Sequence, residues 1–137
     1  MSAFEVRGRR VEGGTHIMGI LNLTPDSFYP LSRAGEDVAA RALRMAADGA
    51  EIIDLGGQST RPGAKQVGAL EEMARVIPAV EKVRAVTDVP LSVDTFYPEV
   101  ADAALAAGAD MINDVSCLMY AGMAEVAAAH GASLCIM

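Results

Sequence analysis

From residue 16 onward, short apolar runs alternate with longer stretches in which apolar and charged positions recur at helical spacing. The runs 16–21, 51–55, 91–94, 110–115 and 133–137 read as strands, and their cores are apolar on both faces, as in Ile17-Met18-Gly19-Ile20-Leu21. The stretches 36–48, 70–86, 98–108 and 121–130 read as helices. Glu36 and Asp37 begin the first and Gly49 ends it, while Pro98 opens the third and Gly108 closes it. Pro78 falls inside the second, which predicts a kink or two pieces. Strand and helix thus alternate four times before a last strand, the order of a parallel sheet covered by helices. Residues 1–15 differ: Phe4, Val6 and Val11 alternate with charged residues around Gly8, which predicts a small antiparallel hairpin before the main fold.

Composition narrows the function classes. The chain has 137 residues, 52% of them hydrophobic and 21% charged, and carries a net charge of -7. That balance fits a globular domain and argues against nucleic acid or an anionic membrane as the main partner. An Arg or a metal ion can still reverse the field locally for an anionic substrate. The N-terminal ten residues hold no apolar signal segment and no run is long enough to span a bilayer, so a cytoplasmic location is the default expectation. Cys117 and Cys135 have no metal-site spacing and read as two buried small residues without a disulfide.

Polar residues collect where strands end. Asn22 follows the first strand, Asp54 and Gly56-Gly57 belong to the second, Asp94 ends the third, and Asn113-Asp114 lie in the fourth. In parallel α/β folds the ligand site lies at the carboxyl ends of the strands, and a carboxylate or amide buried there needs a partner. One such residue could cap the next helix; four strands in succession point to a binding site.

The loops carry longer motifs: Asn22-Leu23-Thr24-Pro25-Asp26-Ser27-Phe28, then Gly56-Gly57-Gln58-Ser59-Thr60-Arg61-Pro62-Gly63-Ala64, then Ser92-Val93-Asp94-Thr95 and Ile112-Asn113-Asp114. In this order they resemble the dihydropteroate synthases, pterin-binding TIM-barrel enzymes of folate synthesis. The resemblance implies the first half of a (β/α)₈ barrel, with residues 16–137 as a partial pterin-binding domain. It implies condensation of 6-hydroxymethyl-7,8-dihydropterin diphosphate with 4-aminobenzoate, releasing diphosphate. It places Asn22 on Mg²⁺, for which an amide oxygen is a suitable hard ligand. Asp26 would hold the closed loops and stabilise a cationic intermediate. Thr60 and Arg61 would take diphosphate oxygens, Pro62 would border the aminobenzoate, and Asp94 with Asn113 would bind the pterin ring. Asp54 and Asp114 would support these groups, and His16 and His130 read as structural. By residue chemistry alone, Asn22 and Asp26 could equally be turn or cap residues, Arg61 a solvated loop cation, and Asp94 a strand-end cap.

Three departures from the family pattern stand out. Gln58 replaces the usual Glu, Cys117 stands where Gly commonly follows the Ser of the fourth-strand motif, and 29–33 replace a polar, Gly-rich turn. A complete barrel needs about 250 residues, and the family's further lysine loop and Arg-x-His have no counterpart here. The expectation is a polypeptide inactive by itself, completed as a homodimer or by a C-terminal half. A non-catalytic pterin-binding module and a pterin-dependent methyltransferase domain are the competing classes; the first two loop motifs disfavour the latter.

Overall fold

The computed structural model describes residues 3–24, 37–59 and 62–137. Two strands, β1 (Ala3–Val6) and β2 (Arg9–Glu12), pair antiparallel across a two-residue turn. Arg7 and Gly8 both have positive φ, 46° and 76°, as the twist of a tight hairpin requires. Five strands then form one parallel sheet in sequential order: β3 (Met18–Asn22), β4 (Ile52–Gly56), β5 (Leu91–Asp94), β6 (Met111–Asp114) and β7 (Ser133–Ile136). Helices α1 (Val38–Ala47), α2 (Ala69–Arg84), α3 (Pro98–Ala107) and α4 (Met123–Ala129) connect them in turn. The alternation predicted from the apolar pattern is the observed architecture, with element ends shifted by at most two residues.

The two faces of the sheet have different fates because successive side chains point to opposite sides. Leu21, Ile53, Leu55, Leu91, Val93 and Ile112 face the helices and are fully buried, against Val76, Val80, Val83, Ala101, Ala104, Leu105 and Met123. Full burial of each of these Val, Leu or Ile side chains contributes about 1.5–3 kcal/mol. The other face carries Met18, Ile20 and Asn22 on β3, Asp54 and Gly56 on β4, Ser92 and Asp94 on β5, and Met111 and Asn113 on β6. It is open at the β3 edge, where Ile20 is 64% exposed.

Of the two outcomes expected at Pro78, separate pieces are not seen: α2 is one 16-residue helix through it. Pro78 and Ala74, whose carbonyl loses its partner, both lie on the exposed side of the helix. Water can take the freed carbonyl there, while Val76, Ala79, Val80 and Val83 hold the opposite side in the core.

The amino-terminal end of the sheet is tied together by two arginines. The Arg84 guanidinium donates to the carbonyls of Gly108 (3.0 Å), Thr87 (3.1 Å) and Val89 (3.2 Å), and to Asp110 Oδ2 at 2.5 Å. Asp110 Oδ2 also accepts from the Leu91 amide at 3.0 Å. The hairpin closes this end: Arg7 Nη1 donates to the Ala109 carbonyl, its amide donates to Ser133 Oγ, and that hydroxyl donates to the Glu5 carbonyl, each at 3.0 Å. His16 pairs with Glu51 and meets the Phe4 ring edge-on; His130 pairs with Asp102 at 2.7 Å.

Candidate active site

At the carboxyl end of the sheet the ladder fixes the heights of the polar residues. Asn22 pairs in register with Gly56, Gly56 with Asp94, and Asp94 with Asn113. These four positions therefore form one row across four strands, on the face turned away from the helices. Gly56 leaves the middle of the row open: a Cβ there would lie 3.8 Å from Asn22 Oδ1 and 3.9 Å from Asp94 Oδ2. One side-chain layer below, Ile20, Asp54 and Ser92 form the next row, with Met111 beside Ser92.

This region is short of hydrogen-bond partners and rich in negative charge. Asp54 Oδ1, Ser92 Oγ and Asn113 Oδ1 are buried without a hydrogen bond among the described residues. Such orphaned atoms are rare in a folded interior and mark a place built for a group with its own donors. Burial raises the Asp54 carboxyl above the usual range, with Ser92 and Asn113 pulling it back. Burial pushes Asp94 up to about 7, and the charges of Asp54, Glu72 and Asp114 add to the rise. A carboxyl poised near neutrality in a cleft is a functional candidate. Asp114 points to the other face and holds its own loop, accepting from the Ser116 amide (2.8 Å), Ser116 Oγ (2.6 Å) and the Leu118 amide (3.2 Å).

The fold thus assembles Asn22, Asp94 and Asn113 in one row. Pro62 is exposed in the second loop, and Asp26, Thr60 and Arg61 lie outside the described residues. Among the described residues no group of three or more His, Cys, Asp or Glu side chains could hold a metal. A single amide oxygen at Asn22 still suits a cation that keeps most of its ligands as water and phosphate oxygen. Beside the row a cleft of about 370 Å³ is lined by Gln58, Ser59, Gln66, Phe96, Met119 and Tyr120. Phe96 and Tyr120 stack in it with ring centres 5.2 Å apart.

Two features depart from the sequence reading. Cys117 is exposed rather than buried, and both it and Leu118 adopt left-handed backbone, φ 57° and 59°. The loop after β6 needs that conformation, which explains why glycine suits position 117. Glu72, in the first turn of α2, is fully buried despite its charge, a position that the strand-end pattern does not single out. Its spacing held the signal: Glu72, Val76, Ala79, Val80 and Val83 fall on one helical stripe, so a carboxylate occupies a core position.

Residues 18–137 match the model of the pterin binding enzymes. This chain belongs to that family. Within it, the chain is 46% identical over 133 residues to the dihydropteroate synthase of Streptococcus pyogenes serotype M1, covering 93% of this chain and 49% of that protein. It is 50% identical over 125 residues to a probable bifunctional folylpolyglutamate synthase/dihydropteroate synthase of Halobacterium salinarum, covering 90% of this chain and 15% of that one. The solved dihydropteroate synthase of Xanthomonas albilineans with 4-aminobenzoic acid superposes at a TM-score of 0.83 and 46% identity, over 96% of this chain and 50% of that one. The Burkholderia cenocepacia enzyme complexed with 7,8-dihydropteroate gives 0.83 at 43%, over 99% and 46%. The chain spans about half the length of the synthases it matches, and its five strands correspond to the first half of their barrel. Among the described residues no helix is long and apolar enough to cross a membrane.

Proposed function

We propose that this chain supplies the amino-terminal half of a dihydropteroate synthase active site in the cytoplasm. In that reaction the 4-aminobenzoate nitrogen bonds to the pterin methylene, the carbon–oxygen bond to diphosphate breaks, and the amine gives up a proton. The observation that carries the reading is the in-register row of Asn22, Gly56, Asp94 and Asn113, with orphaned oxygens on Asn113 and, one layer below, on Asp54 and Ser92. Solved relatives superposing on nearly the whole chain hold 4-aminobenzoic acid in one case and 7,8-dihydropteroate in another.

Asp94 accepts hydrogen bonds from the ring NH and amino group of the pterin, and Asn113 donates and accepts beside it in the ring plane. Asp54 and Ser92 form the floor. Thr60 and Arg61 bind the diphosphate, Pro62 borders the aminobenzoate, and Asp26 stabilises positive charge developing at the methylene. Asn22 would hold Mg²⁺, which neutralises charge on the leaving diphosphate when bound. Either a C-terminal half, as in relatives of twice the length, or a second copy of this chain in a homodimer would cover Met18 and Ile20 and close the barrel.

The test is a chimera in which this chain replaces the matching half of the Streptococcus pyogenes enzyme. With both substrates and Mg²⁺ it should release diphosphate, and Asp94→Ala should abolish release. A folded chimera that binds no pterin and releases no diphosphate would overturn the proposal.

A further inference from the structure

The second loop, residues 57–68, leaves the sheet at Gly57 and returns at Gly68, the cap of α2. Its two ends are held together by side chains. Gln58 Oε1 accepts from the Val67 amide at 3.3 Å, and Tyr97 Oη donates to the Val67 carbonyl at 2.9 Å. Gln66 Nε2 donates to Tyr97 Oη at 3.3 Å. Behind this neck lies Glu72. Its Oε1 accepts from Gln58 Nε2 at 3.3 Å, and its Oε2 accepts from Thr95 Oγ1 at 2.8 Å. Thr95 directly follows Asp94, and its hydroxyl also accepts from the Tyr97 amide at 3.2 Å. Gly57 makes the approach possible: a Cβ there would come within 3.0 Å of Glu72 Cγ and 2.9 Å of Val76 Cγ2.

A buried carboxylate is costly and is kept where its hydrogen bonds specify a geometry. From this we infer that Glu72 is a positioning residue: through Gln58 it sets the neck of the loop bearing Thr60 and Arg61, and through Thr95 it ties that neck to the strand end bearing Asp94. This deepens the function proposed above and rests on it for the ligand. The amide at position 58 matters because it donates to Glu72 at every pH near neutrality. A Glu there would set two carboxylates together, joined only while they share a proton. The charged and titratable groups around the pair are Arg75 and Glu71 on α2 and Asp94 and Tyr97 at and beyond the end of β5; Asp54 on β4 and Asp114 on β6 act on Asp94. Arg75 is engaged by Glu71 and by the Gly57 carbonyl at 2.8 Å, which leaves the amide at 58 as the hydrogen-bond partner of Glu72 Oε1, with Thr95 on Oε2.

Trypsin reads the neck without any ligand. Lys65 is exposed in the loop, whereas Arg61 precedes Pro62 and is a poor site. Cleavage after Lys65 is timed in the full chain for wild type, Gln58→Ala, Glu72→Gln and Gln58→Glu, with melting curves to confirm folding. Gln58→Ala, which removes the bonds to both Val67 and Glu72, should speed cleavage at least about fivefold, the scale of one net hydrogen bond. Glu72→Gln, which can keep its bond to Gln58 but turns a donor toward Thr95, should give a smaller increase. For Gln58→Glu the rate relative to wild type at the same pH should be near one at pH 6.5 and rise about fivefold by pH 8.5. Unchanged rates in Gln58→Ala, or a flat pH profile in Gln58→Glu, would overturn the inference. Failure of the wild-type chimera to bind pterin, with these rate changes intact, would instead count against the proposed function and leave the neck standing.

Discussion

The two ends of the parallel sheet hold aspartates in opposite states. At the amino-terminal end Asp110 meets the Arg84 guanidinium at 2.5 Å and the Leu91 amide at 3.0 Å, with three backbone carbonyls completing the arginine's shell. At the carboxyl end Asp94 faces the charges of Asp54, Glu72 and Asp114, and burial with that repulsion raises it to about 7. Strand, spacing and backbone are nearly the same at the two ends. What differs is whether a partner is built in. One end joins its polar groups to one another, while the other leaves Asp54 Oδ1, Ser92 Oγ and Asn113 Oδ1 without a hydrogen bond among the described residues, a division of the kind expected between the two ends of a barrel sheet.

The comparison can be broken most severely at the satisfied end. Arg84→Ala takes the guanidinium donor from three carbonyls and from Asp110, which keeps only the Leu91 amide, and should cost about 3 kcal/mol in urea denaturation. A loss below about 1 kcal/mol would mean that the network does not hold that end.

The opposite sign is expected at Asp94. Its folded pKa lies above the ordinary value of 3.8. The folded chain keeps a proton that the unfolded chain gives up, so stability falls as pH rises from about 4 to about 7. Asp94→Asn removes that loss: at pH 8 the variant should be more stable by about 2 kcal/mol, and near pH 4 equal to wild type. Equal stability at both pH values would refute the contrast. For the same reason pterin affinity, followed by calorimetry in the chimera, should weaken about tenfold from pH 8 to pH 6 as Asp94 takes up its proton.

A smaller gain is expected at Cys117, whose left-handed backbone is costly for any residue with a Cβ. Cys117→Gly should raise stability by about 1 kcal/mol, measured by the shift of the denaturation midpoint. Smallest of all is Asp102→Ala at the exposed pair with His130, where a change within about 0.5 kcal/mol is expected. A large loss there would show that surface ion pairs carry weight that the Arg84 network is here assigned.

Much of this was legible in the sequence. Apolar runs separated by helical stretches gave the strand order, because each strand must bury one face under a helix. The placement of Asn22, Asp94 and Asn113 at one end of the sheet was legible because each lies at or next to the end of an apolar strand run. The fate of Pro78 was not: whether a proline breaks a helix depends on which side of the helix meets water. The exposure of Cys117 was hidden because composition cannot report a backbone dihedral. The burial of Glu72 was not evident because an acidic residue in a first helical turn ordinarily faces solvent; only its place on the stripe of Val76 and Val80, which Glu71 does not share, marks it.

The reach of Arg84 has a further consequence for how the molecule opens. Its four acceptors come from the connection after α2, the cap of α3 and the first turn into β6, spread over residues 87–110. Detaching any one of these segments breaks at least one bond of the same guanidinium. The α2–β5–α3–β6 block should therefore exchange its amide hydrogens as a single cooperative unit, slower than β3 and α1 at the open edge.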